Sequence, residues 1–277
     1  MTRAATPLGL LFGGEFGAWI ATAGQPVPPL WLFVHVPKTA GSSLAADLAS
    51  HLAPYRSIHI DHLDQDRPAV ERFDIAVDQA LVAHAAAPFR FASGHVQYRH
   101  VERMRRAVPG MRLMTMLREP SARLVSDYLY QRSPMHPLAA EVRRRVPDFE
   151  AFLALKGPRN RMARHLLPAA LIEAGDTAAA IAQIERDFAF VGVQERYALC
   201  FRALTAMLGR SRAPGESKRV NSAAAEERAD IAARLKEPDF AARIAAANAM
   251  DVALWRYFAA RWDAIAAPLE AWLNPAG

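Results

Sequence analysis

The sequence has a single cysteine, no internal repeat and no long uninterrupted apolar segment. Cys200 cannot form an internal disulfide, so the fold does not depend on an oxidising compartment, and the expected location is the cytoplasm. The apolar stretch LGLLFGGEFGAWIATAG near the amino terminus is interrupted by Glu15, and each part is too short to span a bilayer as a helix. These features exclude a disulfide-stapled scaffold and a membrane-spanning protein.

The composition is typical of a globular protein. The chain has 277 residues, of which 52% are hydrophobic and 22% charged, enough for one large domain with a substantial core. The net charge of +6 indicates a partner rich in negative charge, although an arginine-rich and alanine-rich composition also follows from genomic base composition. Aromatic and basic residues are not interleaved as on nucleic-acid surfaces, so no nucleic-acid partner is expected.

Residues 1–30 are predicted to form an irregular or strand-forming arm that packs on the domain. The small residues of ATAG leave a cleaved signal peptide as an alternative. The segment GQPVPPL then acts as a linker into the first strand.

Short apolar runs alternate with helical patterns along the chain. Strands are predicted at 31–36, 89–94, 111–117 and 188–193, and helices at 42–53, 120–132, 148–156, 159–167, 177–187 and 195–208, with two alanine-rich helices at the end. This alternation predicts an α/β fold, a P-loop-like three-layer sandwich whose mainly parallel central sheet is flanked by helices. We expect a single domain over 1–277, with ligands at the carboxyl ends of the strands.

The segment FVHVPKTAGSS, residues 33–43, joins the first strand to a helix through a turn of small side chains. Such a turn directs several backbone N–H groups, and the positive end of the helix dipole, at one point. Lys38 adds a full charge, Gly41 lets the backbone approach a ligand closely, and hydroxyls come from Thr39, Ser42 and Ser43. The turn therefore predicts an anion site.

The turn is not the Walker motif of nucleotide triphosphatases. That motif places a lysine directly after its second glycine, whereas Lys38 precedes Gly41 here. No carboxylate at the end of a second strand is placed to hold magnesium. The site is therefore expected to bind its anionic ligand without a metal.

VPKTAGSSL resembles the 5'-phosphosulfate-binding loop of sulfotransferases that use 3'-phosphoadenosine 5'-phosphosulfate (PAPS), particularly the carbohydrate branch that includes the heparan sulfate 2-O-sulfotransferases. The family usually has threonine at one of the two serine positions, a change that keeps the hydroxyl. The resemblance implies PAPS as donor and 3',5'-bisphosphoadenosine (PAP) as product. The donor-binding residues that it implies in this loop are Pro37, Lys38, Thr39, Ala40, Gly41, Ser42 and Ser43.

LREPSARLVSDYLY, residues 117–130, is similar to the segment with which the same family binds the 3'-phosphate. Arg118 at a strand end and Ser126 two turns into a helix occupy the matching positions, and both side chains can donate to phosphate oxygens. For two further matching positions we expect structural roles, an ion pair for Arg123 and packing for Tyr128.

Transfer to a hydroxyl also needs a base, and a histidine suits neutral pH. SGHVQYRH, residues 93–100, resembles the segment that carries the catalytic histidine in the heparan sulfate 2-O-sulfotransferases, which implies that His95 is the base. His35 is the alternative, although its place in a strand favours a positioning role. His59 and His62 suggest a metal pair with Asp61 or Asp64, but the spacing is loose, and acceptor binding or surface exposure is favoured.

Two later segments also match the family. FAFVGVQERYALCFRAL, 188–204, resembles a strand and helix in which Glu195 and Tyr197 lie near the nucleotide, although an acidic first turn also explains Glu195. The basic loop 209–223 is where the family closes over PAPS, which implies binding roles for Lys218, Arg219 and Asn221. A solvated surface loop is the alternative.

The predicted activity is transfer of the sulfuryl group from PAPS to a hydroxyl, with a glycan or glycolipid as acceptor because of the branch resembled. A small phenol or alcohol remains open as acceptor. The alternative functions are a P-loop-type nucleotide kinase and a non-catalytic nucleotide-binding protein.

Overall fold

The computed structural model describes residues 6–24, 26–60, 64, 66–209 and 225–275. Its strands are β1 Trp31–Val34, β2 Tyr55–Ile58, β3 Phe91–Gly94, β4 Arg112–Leu117 and β5 Phe188–Val193. They form one parallel sheet in the order β2-β3-β1-β4-β5. Strands β1, β3 and β5 are buried along their whole length, as expected for a parallel sheet covered on both faces. The predicted α/β fold, with a parallel central sheet flanked by helices, is confirmed.

The helices of the first half are α1 Pro7–Phe12, α2 Phe16–Gly24, α3 Gly41–Ala49, α4 Ala69–Ala86, α5 Tyr98–Ala107, α6 Pro120–Arg132 and α7 Ala139–Arg145. The later ones are α8 Phe149–Ala154, α9 Arg161–Leu166, α10 Ala169–Ala174, α11 Thr177–Asp187, α12 Tyr197–Met207, α13 Ala225–Arg234, α14 Pro238–Ala247 and α15 Ala249–Leu273. No helix among the described residues is both long enough and apolar enough to cross a membrane.

The amino-terminal arm is helical, so the expectation of an irregular or strand-forming segment was wrong. Thr6 caps α1 by accepting a hydrogen bond from the Gly9 N–H, and Pro7 occupies the first helical position, where its missing N–H leaves no bond unmade. Helices α1 and α2 bury Leu8, Leu11 and Trp19 completely against the main core. Burial of this apolar face therefore stabilises two helices that are individually short.

Two hydrophobic clusters hold the chain together. The larger one surrounds the sheet and includes Trp262 of α15, whose indole N–H donates to the Val191 carbonyl of β5 at 2.8 Å. The smaller one joins α6, α8, α13 and α14 through Tyr128, Phe149 and Phe240 among others. The apolar residues of α6 belong to this second cluster, which fixes the helix that follows β4.

Candidate functional site

Three strands that are neighbours in the sheet bring the predicted site residues to one edge. The registers pair Val34 with Gly94 of β3 and with Thr115 of β4. Continuing them past the strand ends sets His95 beside His35 and brings Arg118 level with the turn that follows β1. We call this group of residues, the turn after β1 with His35, His95 and Arg118, the corner. Two hydrogen bonds hold it together. The Arg118 guanidinium donates to the Lys38 carbonyl at 3.1 Å, and His95 Nδ1 lies 2.7 Å from the His35 carbonyl oxygen.

The turn between β1 and α3 has a strained backbone. Lys38 and Ala40 both adopt left-handed conformations, with φ of 70° and 64°, which costs a non-glycine residue on the order of 1–3 kcal/mol. Between them Thr39 is buried, and its hydroxyl donates to the Val36 carbonyl at 2.9 Å. The Thr39 side chain therefore closes the turn. Its hydroxyl proton is used in this hydrogen bond to the backbone.

Helix α3 begins without a side-chain cap. Its N-cap residue is Ala40, which has no oxygen to accept from the first-turn N–H groups. Ser42 is exposed in that turn and Ser43 is half-buried. The N–H groups and the positive end of the helix dipole therefore suit an anionic ligand.

Lys38 and Arg118 supply the positive charge of the corner. Burial lowers the pKa of Lys38, Asp127 raises it and Arg118 lowers it further, with a net shift below its ordinary value. The Lys38 ammonium lies over the ring of Tyr130, 3.9 Å from the ring centroid. Burial likewise lowers the pKa of Arg118, although the guanidinium stays charged at neutral pH. The turn that leads into the uncapped helix thus carries one cation and binds a second through its backbone.

Three histidines meet behind the turn. The His95 ring lies 4.3 Å from the His35 ring, which also stacks on Phe33 at 5.5 Å. His165 of α9 is buried and its Nδ1 lies 2.8 Å from the Val96 carbonyl oxygen. Burial lowers the pKa of His165 to about 3 and holds that of His35 well below its usual range. Both rings are therefore neutral at physiological pH.

The hydrogen bond of His95 fixes its tautomer. A carbonyl oxygen only accepts, so Nδ1 of His95 carries the proton that bridges to the His35 carbonyl. In the neutral ring Nε2 then holds the lone pair. This is the form in which a histidine accepts a proton from a substrate hydroxyl.

The fold itself requires a glycine at position 41, apart from any close approach of a ligand. A β-carbon at this position would lie 2.1 Å from Cδ2 and 2.3 Å from Nε2 of His35. Because the His35 ring is held between Phe33 and His95, it has little room to move aside. The glycine therefore makes room for the His35 ring, which packs against His95.

We expect Gly41→Ala to lower the unfolding free energy by about 1–3 kcal/mol, because it overpacks the contact between α3 and His35. Urea denaturation measures the loss. In the double variant with His35→Ala the added methyl group occupies the vacated ring volume, so the second substitution should destabilise less on the Gly41→Ala background than on the wild type. Purely additive losses would contradict the proposed clash.

Helix α6 begins directly after Arg118. The Glu119 carboxylate accepts from the N–H groups of Ser121 and Ala122 at 2.9 and 2.6 Å, so it caps the helix. Glu195 holds this junction from β5 by accepting from the Glu119 N–H at 2.8 Å, and its other oxygen accepts from the Trp255 indole. Glu195 therefore has a structural role at the strand end.

A buried charge cluster lies beneath Lys38. Arg123 is completely buried and donates to Asp127 at 3.3 Å and to the Pro158 carbonyl at 2.8 Å. Asp127 also pairs with Arg161 of α9 at 3.0 Å. Burial alone would raise the pKa of Asp127, but Arg161 and Arg123 outweigh it and hold the pKa below its ordinary value. The structural ion pair predicted for Arg123 is confirmed.

The remaining predicted residues are placed as follows. Tyr128 is buried against Phe149 and Phe152, which confirms its packing role. Ser126 is half-buried on α6, and His59 is exposed. His62 and residues 210–223 of the predicted loop, with the binding residues Lys218, Arg219 and Asn221, lie outside the described residues. Within the described ranges, no group of three histidine, cysteine or acidic side chains is arranged to hold a metal ion.

Two residues of the corner escaped prediction. Tyr130 lies four residues after Ser126, a spacing that places both on one face of a helix. This spacing in the sequence could have identified Tyr130 as a neighbour of the predicted site. His165 comes from α9 and reaches the corner through the tertiary fold, and its local sequence carries no comparable signal.

Comparisons with known proteins add the following. No family model matches the chain, and neither does any curated protein. Among solved structures it is similar to mouse sulfotransferase SULT7A1 complexed with PAP, at 18% identity and a TM-score of 0.39, over 74% of this chain and 62% of that one. It is also similar to a sulfotransferase from Alicyclobacillus acidocaldarius, at 20% identity and a TM-score of 0.42, over 81% of this chain and 98% of that one. The chain thus spans less than two thirds of the mouse protein's length.

Proposed function

We propose that this protein is a sulfotransferase that moves the sulfuryl group of PAPS to an acceptor hydroxyl, within a single domain over 1–277. The observation that carries the proposal is the linked corner, where Arg118 donates to the Lys38 carbonyl and His95 to the His35 carbonyl. Phosphate-binding groups from two strand ends and a histidine from a third thereby share one edge of the sheet.

The residues present fit a nucleotide with phosphates at both ends of its ribose. The turn 37–43 offers uncapped N–H groups and Lys38 to the 5'-phosphosulfate. Arg118 and Ser126 would hold the 3'-phosphate, following the segment that 117–130 resembles. When bound, PAPS supplies an activated sulfuryl group with a phosphate leaving group. Lys218, Arg219 and Asn221 are proposed as additional contacts to the donor.

His95 is proposed as the general base. Its Nδ1 proton is held by the His35 carbonyl, so Nε2 takes the proton of the acceptor hydroxyl as that oxygen attacks. Lys38 stabilises the negative charge that develops on the departing phosphate oxygen. The strained turn holds the Lys38 backbone in place before the ligand arrives, so little reorganisation is needed.

The acceptor is proposed to be a sugar hydroxyl, on the strength of the resemblance to the carbohydrate branch. Several arginines that could contact an acidic glycan already have partners. Arg99 pairs with Asp74, Arg103 with Asp78, and Arg145 with Glu141. A radiolabelled-PAPS screen against glycans, phenols and small alcohols distinguishes a carbohydrate acceptor from a phenolic or alcoholic one.

Titration calorimetry with PAP and with Mg-ATP tests the donor site. We expect PAP to bind without metal and more tightly than Mg-ATP. Arg118→Ala should weaken PAP binding about 10- to 100-fold, because it removes a charge-assisted contact to phosphate. Arg112→Ala, at the opposite end of β4, is the matched control and should leave the dissociation constant within about twofold. Equal effects of the two substitutions, or preference for Mg-ATP, would rule out this donor site.

A further inference from the structure

We propose that Tyr130 is a positioning residue for Lys38, and that the face of its ring holds the Lys38 ammonium beside the anion-binding turn. The inference rests on the proposed function in one respect, since it takes Lys38 to be the group that stabilises the leaving phosphate. The contact itself is a property of the folded protein. It can be tested whether or not sulfuryl transfer is detected.

The geometry is that of a cation held on an aromatic face. The Lys38 ammonium lies 3.9 Å from the centroid of the Tyr130 ring, well inside the limit of about 6 Å for such contacts. Tyr130 belongs to the last turn of α6, which ends at Arg132. The negative end of the helix dipole favours a cation at this position as well.

The Tyr130 ring also contacts a second ring. The His136 ring stands at 90° to it, with 5.6 Å between centroids. Ser133 donates its backbone N–H and its hydroxyl to the Tyr130 carbonyl at 3.0 and 2.8 Å, and the Leu138 N–H donates to His136. The segment after α6 therefore holds the Tyr130 ring and its backbone in place.

The charges around Lys38 explain why a neutral ring, and not a carboxylate, is a suitable partner for its ammonium group. Burial and Arg118 act against the charged form of Lys38, whereas Asp127 acts in its favour from within an ion-paired cluster. A carboxylate in place of Tyr130 would also hold the ammonium, but it would repel the incoming phosphosulfate. The ring attracts the cation without adding negative charge, so Lys38 can leave it for the ligand at small cost.

The chain has four lysines, Lys38, Lys156, Lys218 and Lys236, so the titration of Lys38 can be followed directly. Reductive methylation with ¹³C-formaldehyde labels the amines while keeping their charge, and Lys38→Arg identifies the Lys38 signal in the NMR spectrum. We expect Tyr130→Leu to lower the Lys38 pKa by about one pH unit, a tenfold change, because the ring favours the charged form. Tyr130→Phe keeps the aromatic face and should restore most of that shift.

The same variants are then compared in turnover and PAP binding. Tyr130→Leu should lower kcat about tenfold, and Tyr130→Phe should recover most of the rate. Two results would overturn the proposal: an unchanged Lys38 titration in Tyr130→Leu, or equal losses in the phenylalanine and leucine variants, which would assign the effect to the hydroxyl. If the wild-type protein transfers no sulfuryl group and binds no PAP, the proposed function fails, while the titration still decides the role of Tyr130.

Discussion

Replacing His95 with alanine is expected to lower turnover by a factor on the order of 10² to 10⁴ while leaving the affinity for PAP nearly unchanged. The substitution removes the Nε2 lone pair that we propose takes the acceptor proton. The His35 carbonyl that fixes the tautomer belongs to the backbone and remains in place. Turnover with radiolabelled PAPS measures the loss, and calorimetry measures PAP binding.

His59→Ala is the matched control, because His59 is exposed. It should retain the wild-type rate. Added imidazole should restore part of the rate of His95→Ala, since it can enter the space of the missing ring and accept the proton. Wild-type turnover in His95→Ala would show that another group is the base.

Asp127→Ala is expected to destabilise the fold by about 3–5 kcal/mol, because it leaves Arg123 buried and Arg161 half-buried without their shared carboxylate. Urea denaturation followed by circular dichroism measures the change. The loss should also weaken PAP binding, since Arg123 and Asp127 belong to the helix that begins after Arg118.

Asp263→Ala is the matched control for that loss. Asp263 pairs with Arg196 at 2.8 Å, but both side chains are largely exposed, so its removal should change stability by no more than about 1 kcal/mol. A similar loss in both variants would contradict a special contribution of the buried cluster.

The pH dependence of the Asp127 contribution follows from the direction of its shift. Because the folded pKa is depressed, the carboxylate stabilises the fold fully above its unfolded pKa of about 3.9. That contribution is lost as the pH falls through the lower folded value. The difference between wild type and Asp127→Ala should therefore shrink below about pH 4.

The segments that carry the site were predictable because each joins a buried strand to a helix with clear boundary signals. In 31–49 an apolar run ends at Pro37, and small residues lead into α3. In 112–132 the strand ends at Leu117, Arg118 follows it, and Pro120 starts the helix. Local chemistry therefore sufficed to place both sides of the proposed anion site at the carboxyl edge of the sheet.

Other elements depend on tertiary contacts that the sequence does not display. β2 reads YRSI and is exposed at three of its four positions, so it lacks the apolar pattern of a buried strand and exists by pairing with β3. The amino-terminal arm is helical because Trp19 and its apolar neighbours are buried against the main core. His165 and Arg161 reach the site through α9, whose position follows from the packing of distant helices.

The register of β1 with its two neighbours also determines how the protein tolerates change in length. Strand separation in the sheet, about 4.8 Å, sets the spacing of the turn, His95 and Arg118 through backbone hydrogen bonds. The chain between these strands runs through α3, β2, α4 and α5, and of these helices and strands α3 contributes its first turn to the corner. Insertions and deletions beyond the first turn of α3 can therefore accumulate in those connections without altering the distances between the turn, His95 and Arg118.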